Sequence, residues 1–473
     1  MRNLLILYIS LIGTIFNSSK EDVTKTESVN NLPNVIYINV DDLGWKDLGF
    51  MDNGYFETPN IDQFSKMGMT FTNAYASASN CAPSRACLMT GQYTPRHGIY
   101  TVSPSARGED STRKLIPIEN TDSLKSDVFT LADLFKKAGY TTGTFGKWHL
   151  GKNPLDQGFD INVGGSLKGN PGKDGYFSPY KIDNIKNGPK GEHLTDRLTS
   201  EAIKFLHKNK NRPFFLYLPF YSVHTPIMAK EKLIQKYRQK VNNPLEIDAT
   251  YAAMVETMDS NVGRLLKELD ILGLANNTMV VFTSDNGGIR SISPQAPLRA
   301  GKGSYYEGGT RVPCIIRWPG KINPGSISDQ PIINIDFFPT FKEVLGIELT
   351  EITLDGNSIL PILKGDTIQS KPIFWHFPIY LQSYDEAKDD GRDPLFRTRP
   401  GSTILFKGWK LHWYFEDQGV ELYYLPNDPG ERNNLAEKEP KKVAGLMKKL
   451  TDWQNDINAT IPTELNPLYV SKK

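Results

Sequence analysis

Cysteine is scarce in this chain, with three among 473 residues. A disulfide-stapled scaffold is thereby excluded, and in an exported chain one thiol is left over after any single pairing. An excess of one charge is also lacking. Lys plus Arg total 55 against 53 Asp plus Glu, a formal +2, which argues against a globally basic nucleic-acid binder and confines anion selectivity to local clusters. There are only seven histidines, and no Asp-x-x-x-His or His-x-His pair occurs among them, so a histidine-rich zinc site finds no ligands. Internal repeats and low-complexity tracts are absent. Past residue 20 no stretch is long and apolar enough to cross a bilayer.

What is present begins with Arg2, an apolar run over 4–16 and a small polar exit through Asn17-Ser18-Ser19. Residues 1–20 read as a secretory signal peptide, too short for a membrane span, and predict a periplasmic or secreted protein. No Cys follows the run, so no lipid anchor is indicated. The rest is long enough for one large domain and a smaller one. Apolar, β-branched runs over 34–40, 141–145, 213–218 and 279–283 read as buried strands of a parallel sheet, with a further strand over 312–318. Helical periodicity over 127–138, 195–209 and 247–272 falls between them. Past about Gly346 the pattern changes to strands separated by turns, over 373–378, 402–406, 409–415 and 421–425, closed by an amphipathic helix over 442–457. The expectation is an α/β fold: a large domain over 33–346 with a mostly parallel sheet between helices, and a smaller C-terminal subdomain over 347–473 with an antiparallel sheet and a helix.

Most of the charged clusters stand where a predicted parallel strand ends, the edge at which open α/β sheets bind ligands. Asp41-Asp42 follow the first strand. Lys147 and His149 follow the strand over 141–145, alternation placing them on one face and Trp148 on the other. His224 follows the strand over 213–218, and Asp285-Asn286 the one over 279–283. Lys302 lies between two glycines that let a ligand approach the backbone. Asp41, Asp42, Asp285 and Asn286 are hard oxygen donors, a set that suits calcium better than zinc. Cys81, two residues before Pro83 and with Gly91 as a stop, falls at the start of a short helix, whose free N–H groups favour an anion. Cys87 and Cys314 sit in apolar surroundings, which favours two buried thiols over a disulfide between them.

Cys81-x-Pro83-Ser84-Arg85, followed by Leu88-Met89-Thr90-Gly91, resembles the signature of the formylglycine-dependent (type I) sulfatases. The other clusters match that family in order across almost the whole mature chain. The stretches 407–411, 421–423 and 427–435 resemble its second subdomain. The resemblance implies an alkaline-phosphatase-like fold and a sulfuric ester hydrolase. It implies that a maturation enzyme oxidises Cys81 to formylglycine, whose hydrate attacks sulfur. It implies one calcium ion held by Asp41, Asp42, Asp285 and Asn286 together with the matured Cys81. Among the catalytic residues, His149 is then the base, His224 the acid, with Lys302 beside it, and Arg85, Lys147 and Lys302 neutralise the sulfate. Residues 163–166, 176–180 and 375–378 resemble bacterial members acting on sulfated galactose-type or algal polysaccharides, and His376 and Arg290 are the expected sugar contacts. Two rivals remain: a phosphate or phosphonate monoester hydrolase of the same superfamily, and a non-catalytic carbohydrate-binding protein.

Overall fold

The computed structural model describes residues 32–471 except 52–53, 174, 241–242 and 244–246. The signal peptide read over 1–20 therefore lies outside the described residues. Residues 33–473 form one compact unit. Its main sheet comprises β1 (Asn34–Val40), β2 (Met69–Tyr75), β3 (Thr141–Phe145), β4 (Ile161–Val163), β5 (Phe214–Pro219), β6 (Thr278–Ser284), β7 (Arg311–Arg317), β8 (Ser326–Ser328) and β9 (Ile332–Ile333). The spatial order is β4-β3-β5-β1-β6-β7-β2-β8, with β9 also on β2. From β4 to β6 the strands are mutually parallel; β7 runs antiparallel to both its neighbours.

β1 is the central strand, and all seven of its residues are buried. That is why its sequence is a continuous apolar run rather than an alternation. On one face Ile36 and Ile38 pack with Leu198 and Phe205 of the Leu194–Asn209 helix and with Val255 and Met258 of the Ala249–Ile271 helix. On the other, Tyr37 meets Phe337 edge-on at 5.1 Å, and Phe215 stacks on Phe135 at 4.1 Å. The pairing register fixes the active edge. Asn39 lies opposite Pro219 and Val40 opposite Ser284, so β1, β5 and β6 end level with one another. Asp41, Tyr221 to His224, and Asp285 leave the sheet side by side.

A second sheet, ordered β10-β13-β14-β15, is antiparallel throughout, with β10 (Ile373–Phe377), β13 (Gly401–Phe406), β14 (Trp409–Tyr414) and β15 (Val420–Tyr424). The Pro440–Asp456 helix covers it with Leu446 and Leu450. Two strand pieces, β11 (Leu381–Gln382) and β12 (Phe396–Thr398), make a separate ribbon that the turn-and-strand pattern did not reveal. The helix expected over 127–138 starts only at Leu131, because Thr130 and Asp133 form a capping box there. β2 was likewise not anticipated. All three cysteines are free and buried, so Cys87 and Cys314 do not pair.

The two sheets are joined by a buried ionic cluster. Lys410 on β14 donates to Glu307 at 2.9 Å and lies 3.3 Å from Glu431, which also meets His412 at 2.8 Å. Tyr75 on β2 donates to the other oxygen of Glu307, and the indole of Trp375 donates to the Ala76 carbonyl. Removing one partner from such a group leaves uncompensated buried charge, at about 3–5 kcal/mol. Lys410→Met is therefore expected to lower unfolding free energy by about that amount in a urea titration; an unchanged midpoint would show that the cluster does not hold the sheets together.

Candidate active site

Cys81 is the first residue of the Cys81–Thr90 helix, preceded by Asn80 in an extended conformation and ended by Gly91 in the left-handed region. Every side chain of this helix is buried, so it is held as a rigid insert at the sheet edge. Asn80 donates to the Thr101 hydroxyl, and Asn334 donates to the Ser84 carbonyl and hydroxyl. One turn on, Arg85 reaches back under the site. Its Nε donates to Asp285 Oδ2 at 2.8 Å, its Nη1 to the Lys147 carbonyl at 3.0 Å, and its Nη2 lies 2.8 Å from Asp285 and 3.8 Å from Asp41.

The strand ends supply the remaining groups. Lys147 Nζ donates to Asp41 Oδ2 at 2.6 Å, and Lys302 Nζ to Asp42 Oδ2 at 2.7 Å. Asn286 Nδ2 donates to Asp42 Oδ1 at 2.8 Å, and His224 Nε2 is 3.7 Å from Asp42 Oδ2. Single atoms of Asp41, Asp42, Cys81 and His224 all fall within 4.8 Å of one another. Backbone bonds lock the frame: Asp41 N–H to the Ser222 carbonyl, Asp285 N–H to Val40, Lys147 N–H to Pro219 and Gly303 N–H to Ser79. The hydroxyl of Tyr176 donates to the Tyr221 and His224 carbonyls and fixes the turn that presents His224.

Two of the site residues carry strained backbone. Asp42 and His149 have φ of 62° and 66°, a left-handed conformation that disfavours a side-chain-bearing residue by about 1–2 kcal/mol. Surrounding bonds hold them there. Asp42 N–H donates to Asp285 Oδ1, Leu43 N–H to the Ser284 hydroxyl, and His149 N–H to the Ser166 carbonyl. The imidazole of His149 rests on Gly169, where a Cβ would stand 2.3 Å from the ring.

The electrostatics favour an anion at position 81. Burial alone would push the Cys81 thiol up, but Lys147 and Lys302, with contacts to His149 and His224, bring it well below its ordinary value. Burial lowers His149, against its contact with Cys81, which keeps the imidazole neutral and able to accept a proton. Asp41 is raised by burial despite Lys147, whereas Lys302, followed by His224, overcomes burial to hold Asp42 low.

Asp41, Asp42 and Asp285 are formally balanced by Lys147, Lys302 and Arg85, so an entering anionic group needs further positive charge. Asp41 Oδ1 and Asn286 Oδ1 are buried without a hydrogen-bond partner. Two orphaned oxygens in an all-oxygen donor set fit a hard cation such as calcium. Asp285 has one oxygen on Arg85 and the other on the Asp42 amide, which still leaves lone pairs free on each.

Comparison with known proteins agrees with this geometry. The Sulfatase family profile matches residues 33–347, and the C-terminal profile of N-sulphoglucosamine sulphohydrolase matches 301–458. The chain belongs to the sulfatase family. A sulfatase of Formosa agariphila is 34% identical over 538 residues, covering 96% of this chain and 94% of that one. The N-acetylgalactosamine-6-sulfatase of Mus musculus is 34% identical, covering 85% of this chain and 82% of its own length. Among solved structures, Ps i-CgsB superposes with a TM-score of 0.74 at 30% identity, covering 92% of this chain and 95% of that one, and has also been solved with k-i-k-neocarrahexaose. This sulfatase is thus a sulfuric ester hydrolase.

The structure brings Asp41, Asp42, Cys81, Arg85, Lys147, His149, His224, Asp285, Asn286 and Lys302 of the enzyme together. The two expected sugar contacts fare differently. The side chain of Arg290, two residues beyond Gly288, whose carbonyl accepts from Lys302 N–H, is tied to the Leu298 carbonyl and to Asp390 at 3.5 Å. His376 is a correction. It is 1% exposed, with Nδ1 on the Ser402 hydroxyl and Nε2 on the Thr460 carbonyl, and burial brings its ring down to about 4. One nitrogen is spent on β13 and the other on the segment after the Pro440–Asp456 helix, so neither is free to contact a sugar. Gly169 was missed because nothing in a Gly-rich loop marks which glycine abuts the His149 ring. Gly169→Ala should displace the imidazole and reduce kcat by up to about 100-fold, as misplacements near 1 Å do, with thermal stability nearly unchanged. Full activity in that variant would remove His149 from the reaction.

Proposed function

We propose that this sulfatase removes sulfate from a sulfated galactose-type oligosaccharide, using a formylglycine at position 81 and a calcium ion. The observation that carries the reading is the setting of Cys81: the start of a buried helix, in contact with His149 and His224 and under the influence of two ammonium groups. A thiol has one nucleophilic atom, whereas a hydrated aldehyde at residue 81 supplies an attacking hydroxyl and a second one for release of sulfate. Asp41, Asp42, Asp285 and Asn286 would hold the calcium ion, which when bound provides Lewis acidity toward the sulfate oxygens.

The chain's own residues do the rest. Lys147, Lys302 and Arg85 neutralise the sulfate oxygens as charge builds. His224, with its ring at the Asp42–Lys302 pair, gives a proton to the departing sugar oxygen. His149, held neutral, takes the proton of the second hydroxyl so that the aldehyde re-forms and sulfate leaves. The neocarrahexaose bound by Ps i-CgsB and the galactosamine specificity named for the mouse relative support a galactose-type substrate. A formylglycine-generating enzyme is the required maturation partner. Export to the periplasm or medium, read from residues 1–20, belongs to the same proposal.

Two measurements test it. A sulfated galactose-type oligosaccharide and its phosphate counterpart, assayed side by side, should differ by at least about 100-fold in kcat/KM in favour of sulfate, a preference of nearly 3 kcal/mol; the reverse order would make the protein a phosphate monoesterase. Removing bound metal with a chelator should lower kcat by about 100-fold or more, as loss of a Lewis acid worth several kcal/mol implies. Calcium, and not zinc, should restore it; recovery with zinc alone would refute the oxygen-ligand assignment.

A further inference from the structure

The β11–β12 ribbon brings one exposed aromatic ring to the edge of the active site. Tyr384 is 53% exposed. It is not on a loose loop. Asp389 accepts from the Ser383 hydroxyl at 2.7 Å and from the Tyr384 and Asp385 amides, and the Ser383 amide donates across the ribbon to the Leu395 carbonyl. Directly behind the ring lies Arg397 of β12, its guanidinium carbon 3.4 Å from the ring centroid.

Arg397 ties this ring to the catalytic centre. It is 3% exposed. Its Nε donates to the Gln382 carbonyl and its Nη1 to the Lys302 carbonyl, both at 2.9 Å. The guanidinium fits only because residue 303 is glycine: φ there is +86°, and a Cβ would stand 2.4 Å from Nη1. The guanidinium is therefore buried between the ring and the Lys302 backbone, with Nη2 making no geometric hydrogen bond of its own. Through Arg397 the ring is joined to the Lys302 backbone, and the Arg107 guanidinium is near enough to Arg397 to repel it. An aromatic face carries negative charge density that repels a polyanion; a guanidinium stacked behind it, with a lysine and a second arginine nearby, offsets that repulsion.

We infer that Tyr384, backed by Arg397, is the platform on which the anionic sugar ring adjoining the desulfated one packs. The inference rests on the sulfated-oligosaccharide reading above and extends it to a second, neighbouring residue of the polymer. It places that ring on the Lys302 side of the site. Tyr384 is a specificity-determining residue, and Arg397 and Gly303 are positioning residues for it.

The test uses the matured, metal-loaded enzyme with a sulfated oligosaccharide and with the corresponding sulfated monosaccharide. Tyr384→Ala should raise KM for the oligosaccharide about tenfold, the size expected for loss of one stacking contact, with kcat within about twofold. The ratio of kcat/KM for oligosaccharide over monosaccharide should fall by a similar factor, and Tyr384→Phe should restore it. Wild-type turnover of both saccharides with an unchanged ratio in Tyr384→Ala would overturn the platform alone. Wild-type enzyme that hydrolyses neither saccharide would strike down the sulfated-sugar reading and the platform with it.

Discussion

Three carboxylates and three cations, buried against one another at the level ends of β1, β5 and β6, are the constraint on which the rest of this structure depends. Asp41 with Lys147, Asp42 with Lys302, and Asp285 with Arg85 pair at 2.6–2.8 Å with essentially no solvent. Burying such groups is costly unless each is paired and oriented. The fold supplies that order through the register of three parallel strands, the rigid helix that begins at Cys81 and the backbone bonds that tie the 222–224, 285–286 and 302–303 turns together. Neutral in sum and short of partners at Asp41 Oδ1 and Asn286 Oδ1, the cluster is prepared for a hard cation and for an anionic ligand that comes with it.

Position 81 takes its chemistry from this cluster rather than from its own side chain. A buried thiol alone would be an inert hydrophobe, as Cys87 and Cys314 are here, both driven up by burial. Cys81 is equally buried, yet Lys147 and Lys302 reverse the direction of the shift. The same two ammonium groups that steady Asp41 and Asp42 thus define where negative charge is tolerated. The left-handed backbone at Asp42 and His149 aims both side chains into that space, and the bonds that enforce it come from the exits of two other strands, β6 and β4.

Much of this was legible in the sequence. Fully buried parallel strands have a plain signature, continuous apolar runs, and the polar residues directly after them could be assigned to one edge without knowing the strand order. The antiparallel second sheet was visible from its turns. What escaped was set by tertiary context. β2 carries polar Thr70, Thr72 and Asn73 and reads weakly, although its neighbours complete the sheet. The β11–β12 ribbon is too short for any periodicity, and it carries Tyr384 and Arg397. His376 was an expected sugar contact because residues 375–378 resemble bacterial polysaccharide sulfatases. Only the packing shows Ser402 and Thr460 consuming both its nitrogens. A histidine's role depends on what its second nitrogen meets, and that partner lies 84 residues away.

The central claim is that residue 81 acts as an aldehyde in a pocket built for its hydrate. Mass spectrometry of the tryptic peptide 67–85, bounded by Lys66 and Arg85, measures that state directly in protein isolated from its native host and assayed for sulfate release. The account predicts the aldehyde mass at Cys81, in a proportion that tracks specific activity. A fully active preparation in which Cys81 remains an unmodified thiol would contradict it.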